Sequence, residues 1–205
     1  MLYKTTTRLF KGIYQYKIVL VVAGATHFRS GDMEATLESL ASVNLAMATF
    51  RNSIKTQEDL DYARLLAKSL DAMSNIDVRV ESPWISIYTN NEADTETLTK
   101  LGPEKVKYIS RPPANTSLIS GTIILPKMDY DYRVTMGKTV TDHTGFIDWA
   151  EQSDKLKLTK SCIKDLSRPR SWGGTHFYVT GENNLLMAKM HLGGCIAKIE
   201  RIIKA

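Results

Sequence analysis

The residues best suited to chemistry lie in one stretch of the second half of the chain. Lys155, Lys157, Lys160, Lys164, Arg168 and Arg170, accompanied by a single acid, Asp165, run directly into Ser171-Trp172-Gly173-Gly174-Thr175-His176-Phe177-Tyr178. Lysine and arginine neutralise phosphates, and aromatic rings stack on bases. The succession of charge, a Gly-Gly turn and aromatics therefore predicts a surface for RNA or single-stranded DNA. The basic side chains would hold the backbone, with Trp172, Phe177 and Tyr178 as stackers. The competing reading is a solvated strand and loop with Trp172 covering the edge of a core. His176 adjoins this run and is a candidate general acid or base acting on a ribose 2′-hydroxyl, which would make the chain a metal-independent endoribonuclease.

Other chemistries find little support. Gly137-Lys138-Thr139 has the tail of a phosphate-binding loop, but the glycine required five positions earlier is Tyr132. The dinucleotide-binding, nucleophile-elbow, zinc-protease and calcium-loop patterns are absent. Acids at Asp59 and Asp61, at Glu92, Asp94 and Glu96, and at Asp129 and Asp131 alternate with Tyr, Thr and Leu, as solvated faces do. Cys162 and Cys195 are the two cysteines, with no C-x-x-C and no nearby histidine cluster, so neither a disulfide framework nor a metal site is expected, and no cofactor is implied. The longest apolar run, residues 18–25, is far short of the roughly 20 residues of a membrane span. Polar residues 14–17 interrupt any apolar leader, so the expected location is the cytoplasm, or a virus particle if the chain is viral.

These residues need a scaffold, and an internal repeat indicates which one. Tyr14-Gln15-Tyr16-Lys17-Ile18 reappears as Tyr130-Asp131-Tyr132-Arg133-Val134. Further on, Ile87-Tyr88, Glu92, Leu101-Gly102, Ile109 and Arg111 match Phe177-Tyr178, Glu182, Leu192-Gly193, Ile199 and Arg201. The first half carries an extra helical segment between its matched blocks. It is placed at about residues 30–55, with a cap at Ser30, an apolar face of Met33, Leu37, Leu40 and Met47, and polar residues from Arg51 to Lys55.

Strand-like residues 14–23, a helix from Thr56 to about residue 75, strands at 77–81 and 84–89, a helix at 93–101 ended by Gly102-Pro103 and a strand at 106–110 give βαββαβ. The second half repeats the order with strands at 130–137, 155–159, 175–180 and 195–203 and helices at 144–152 and 182–191. The predicted fold is α+β, with two tandem ferredoxin-like units: residues 1–111 with the helical insertion, a linker at 112–124, and residues 125–205. A single larger α+β domain is the alternative. The paired tyrosines are expected on core-facing positions, Tyr14 and Tyr16 with Ile18 and Leu20, and Tyr130 and Tyr132 with Val134 and Met136.

Charge follows the same division. Of the +5 net charge, residues 1–29 hold five bases and no acid, residues 30–103 hold 12 acids and 6 bases, and residues 104–205 hold 10 acids and 16 bases. Opposed basic and acidic regions suit phosphate binding, with Lys4, Arg8 and Lys11 extending the path. They also suit head-to-tail self-association, so a structural or assembly protein, a viral particle component for example, is the second expectation. The tandem arrangement is similar in architecture to that of the CRISPR RNA-processing endoribonucleases, whose glycine-rich C-terminal signature this chain lacks.

Overall fold

The computed structural model describes residues 2–47, 52–114, 116–140 and 142–204; Arg51 and the side chain of Met47 lie outside the described residues. The chain divides into two compact units, Met1–Ser120 and Gly121–Ala205. Each is an α+β structure built on a five-stranded sheet.

The first unit contains β1 (Tyr3–Thr5), β2 (Tyr16–Val21), α1 (Met33–Ala41), α2 (Gln57–Asp71), β3 (Asp77–Glu81), β4 (Trp84–Thr89), α3 (Glu92–Leu101) and β5 (Val106–Arg111). The second contains β6 (Thr122–Ile124), β7 (Tyr132–Met136), α4 (Thr144–Glu151), β8 (Leu156–Leu158), α5 (Lys160–Leu166), β9 (His176–Val179), α6 (Glu182–Leu192) and β10 (Ile196–Ile203). The sheets run β1-β5-β2-β4-β3 and β6-β10-β7-β9-β8, which is the same order in both. Equivalent residues occupy equivalent rungs: Ile18 pairs with Ile87 and Ile109, and Val134 pairs with Phe177 and Ile199.

The sheets depart from the four-stranded units expected. β1 adds to β5, and β6 to β10, each as a parallel edge strand. These strands have three residues each, too few for alternation to register. β6 also falls within the segment expected as linker, residues 112–124, and α5 is a helix additional to those expected at 144–152 and 182–191.

One face of each sheet is covered by helices. In the first unit Ile18, Leu20, Ile85, Ile87 and Ile109 meet Leu60, Ala63, Leu66 and Leu70 of α2 and Leu98 of α3. In the second, Val134, Met136, Phe177 and Val179 meet Phe146 and Ala150 of α4, Cys162 and Leu166 of α5, and Leu185 and Ala188 of α6. Thr56 caps α2, accepting from the Asp59 N–H at 3.1 Å. The cap of α1 is Asp32 rather than Ser30, because Ser30 closes a preceding short helical turn, Ala25–Ser30. Among the described residues no helix is long and apolar enough to cross a membrane.

Candidate nucleic-acid interface

A strand sends alternate side chains to opposite faces, and this separates the predicted stackers. Phe177 enters the helix-covered core, fully buried with its ring 5.3 Å from Phe146. Tyr178 takes the other face, where Ile123, Ile202, Met128 and Tyr130 leave it buried. Neither ring offers a face to a base, which corrects the expectation for both. Trp172 does offer one, with 87% of its surface exposed.

The basic run is divided as well. Lys157, on β8 opposite Tyr178, belongs to the sheet face away from the helices. Lys160 and Lys164 sit on α5, which packs Cys162 and Leu166 into the helix-side core. Lys155 is paired with Asp154 at 3.3 Å, and Arg168 and Arg170 follow α5 in a loop. All six are exposed, but they do not form one stripe.

Arg170 and Trp172 instead meet the segment at residues 138–140, distant from them in the sequence. Thr139 and Ser171 exchange backbone hydrogen bonds, both at 3.1 Å, which brings Lys138 and Val140 beside the loop. Gly173, at φ +77°, passes so close to Gly137 that a Cβ would lie 2.3 Å from its carbonyl oxygen, and Gly174 donates to the Met136 carbonyl at 2.8 Å. The result is a cleft of about 330 Å³ lined by Lys138, Thr139, Val140, Arg170, Ser171 and Trp172. Lys138 Nζ stands 5.1 Å from the Trp172 ring centroid, and the buried Thr139 Oγ1 has no hydrogen-bond partner among the described residues. Lys138 and Thr139 of the Gly-Lys-Thr segment thus line the cleft without forming a phosphate-binding loop. Only the bridge across the chain reveals it.

His176 is held on both ring nitrogens. Arg133 Nη2 lies 3.1 Å from Nδ1, and the Tyr178 hydroxyl lies 3.2 Å from Nε2. A guanidinium can only donate, so Nδ1 accepts and a neutral ring carries its proton on Nε2. Proton exchange with a substrate would have to break these contacts. Arg133 also faces Glu200 across the ladder; Glu200 is 1% exposed and accepts from Lys198 at 2.8 Å.

The repeat places a second set of polar residues in both units. Tyr16, Glu92 and Arg111 converge in the first, with Arg111 3.6 Å from Glu92; in the second, Tyr132 donates to Glu182 at 3.3 Å beside Arg201. Partial burial, followed by the adjacent glutamate, raises both phenols above their ordinary pKa, and the arginines oppose this. A cleft of about 580 Å³ adjoins Tyr16, Glu92 and Arg111 and is walled by Pro112 and Pro113. Tyr14 and Tyr130 do not share the core-facing side with Tyr16 and Tyr132. They pack at 6.2 Å and 5.8 Å on Tyr88 and Tyr178, on the opposite faces of their sheets.

The first unit's sheet face away from its helices carries Lys4 on β1, Lys17 on β2, Tyr108 on β5 and Trp84 on β4, with Lys107 at a register shift in β5. Lys4 Nζ lies 3.9 Å from the Tyr108 centroid, and Lys107 Nζ lies 3.4 Å from that of Trp84. Lys11 bridges to Asp77 at 2.6 Å at the far edge. Among the described residues no three His, Cys, Asp or Glu side chains gather as a metal site. No protein-family model, curated protein or solved structure matches the chain.

Proposed function

We propose that the chain binds RNA or single-stranded DNA, with Trp172 stacking on a base and Lys138 and Arg170 neutralising the flanking phosphates. The observation carrying this reading is a tryptophan 87% exposed in a cleft with two cations, one of them 5.1 Å from its ring. A side chain this apolar contributes little to a core from there, whereas base stacking uses the exposed face. Lys155, Lys157, Lys160, Lys164 and Arg168 supply a surrounding positive field rather than a single track.

Each unit is read as ferredoxin-like. Without its parallel edge strand, the first sheet is an antiparallel β5-β2-β4-β3 and the second an antiparallel β10-β7-β9-β8, the order of a βαββαβ unit. Four-stranded sheets of this kind serve as RNA platforms. Fluorescence anisotropy with labelled oligouridine and oligodeoxythymidine across salt tests the reading. Lys138→Gln with Arg170→Gln should flatten the log–log salt slope by about 1.4 units. Binding indifferent to salt and to both substitutions would overturn it.

A second reading, self-association, is favoured by a different observation. Leu65 is 47% exposed in a groove of about 500 Å³ with Glu58, Asp61 and Glu104, complementary in charge and polarity to Trp172 and Arg170 of another copy. The mass of nucleic-acid-free protein in solution separates the two. A large oligomer that Trp172→Ala or Leu65→Asp dissolves supports assembly, and a monomer removes it.

A further inference from the structure

We infer that the helix-free sheet face of the first unit is a second single-strand nucleic-acid site, in which Lys4, Lys17 and Lys107 take phosphates and Tyr108 and Trp84 take bases. The inference shares the ligand class proposed above but not the Trp172 cleft.

Register builds the site. Lys4 and Lys17 both pair with Ser110, so they flank one rung across three adjacent strands. Neighbouring strands lie roughly 4.8 Å apart, which puts their Cα atoms about 10 Å from each other. Tyr108 stands two residues along β5 from Ser110, opposite Val19, and Trp84 pairs with Val21 at the far end of the same face. At Lys107 the register shifts: Val19 pairs with Tyr108 but Leu20 with Val106, and the extra residue reaches over the Trp84 ring.

The charges on this face are unbalanced. Its acids Asp77 and Glu81 are engaged at the β3 edge, by Lys11 at 2.6 Å and by Arg79 at 2.5 Å. Among the described residues Lys4, Lys17 and Lys107 contact aromatic rings and no carboxylate. Lys17 lies between two rings, 5.5 Å from Tyr88 and 5.7 Å from Tyr108. An ammonium over a ring is a modest attraction that a base can displace. Displacement frees the flexible lysine for a phosphate, so a polyanion carrying flat rings satisfies both partners at once. An apolar protein surface would leave three lysine charges without partners. Trp84 and Val21, 40% and 39% exposed, keep the far end of the face open.

The test uses the full chain and labelled oligouridine. Lys4→Gln, Lys17→Gln and Lys107→Gln combined should flatten the salt slope by about 2 units, and the arginine triple should restore it. Oligouridine should also quench tryptophan emission in Trp172→Phe, and the quench should disappear when Trp84→Phe is added. Circular dichroism checks folding of the triple, and each single variant should lower the slope by about 0.7 if the triple misfolds. An unchanged slope in folded variants, or quenching independent of Trp84, overturns the site. Absence of any wild-type binding overturns both proposals. A loss of slope in the lysine variants with Trp172→Ala silent keeps this inference and removes the cleft, and the reverse result does the opposite.

Discussion

Two aromatic rings five residues apart should behave oppositely when truncated. Phe177 is fully buried against Phe146 in the second unit's core, so Phe177→Ala removes a ring and leaves a cavity. Such substitutions cost about 3–5 kcal/mol, a large share of the roughly 5–15 kcal/mol by which a domain is stable. With a urea slope of about 2 kcal/mol per molar, the midpoint should fall by about 2 M. Trp172 is 87% exposed, so Trp172→Ala should shift stability by no more than about 0.5 kcal/mol. On the proposed reading its effect belongs to binding, where loss of one stacked base at about 1–3 kcal/mol should weaken affinity roughly 5- to 150-fold. Trp149 is the reporter for unfolding, because its ring packs 5.7 Å from Phe146 within the same unit. Urea titration read by its emission, combined with oligouridine anisotropy on the same proteins, gives both quantities. A stable Phe177→Ala that no longer binds would refute the assignment of that ring to the core. A Trp172→Ala destabilised by more than about 2 kcal/mol would show that the indole supports the fold instead.

Three further outcomes follow from local geometry. Gly173→Ala places a Cβ 2.3 Å from the Gly137 carbonyl oxygen at φ +77°, so it should lower the thermal midpoint and displace Trp172, weakening oligouridine binding even where the fold survives. Of the two thiols, Cys162 is fully buried and pushed up to about 11 by that burial, while Cys195 is partly exposed. A chromogenic disulfide at mildly alkaline pH should therefore titrate one thiol in the native chain and both after denaturation. Burial holds the His27 imidazole below its ordinary 6.5, so the unfolded chain takes the proton first as pH falls. Its contribution to stability is full above about pH 6.5 and lost on acidification; urea midpoints at neutral and mildly acidic pH should converge in His27→Gln relative to wild type.

The repeat was the most legible feature, because duplicated residues carry long-range information that periodicity lacks. Tyr16 with Glu92 and Arg111, and Tyr132 with Glu182 and Arg201, were matched in the sequence and are brought together in each unit. Helices with strong apolar faces, such as α2, were equally readable. The short edge strands were not, since three residues that gain their hydrogen bonds from β5 or β10 leave almost no local trace. The dispersal of the expected site has a physical reason that the sequence itself contains. A continuous His-Phe-Tyr string on a strand must alternate faces, and a basic run that turns helical at Lys160 cannot remain on one surface. Lys138 was missed for another reason. Its neighbourhood with Trp172 depends on the Thr139–Ser171 bridge, which joins segments far apart in the chain.

Segment totals are too coarse a scale for the charge of this chain. Counting by segment makes residues 30–103 acidic and so makes the first unit an unpromising partner for a polyanion. Within that unit the acids at the helix starts and the lysines Lys4 and Lys17 lie on different sides of the sheet. Glu58 and Asp59 occupy the first turn of α2, and Glu92 and Asp94 that of α3. There they offset the positive end of the helix dipole, an ordinary structural use of acids. These helices cover one side of the sheet, and Lys4 and Lys17 lie on the other. A phosphate approaching the lysines meets the local field, because at physiological ionic strength charges more than about 8 Å away are strongly screened. The relevant quantity is therefore the charge of a face and not that of a unit, and by that measure Lys4, Lys17 and Lys107, which contact rings and no carboxylate among the described residues, leave the first sheet's helix-free side positive.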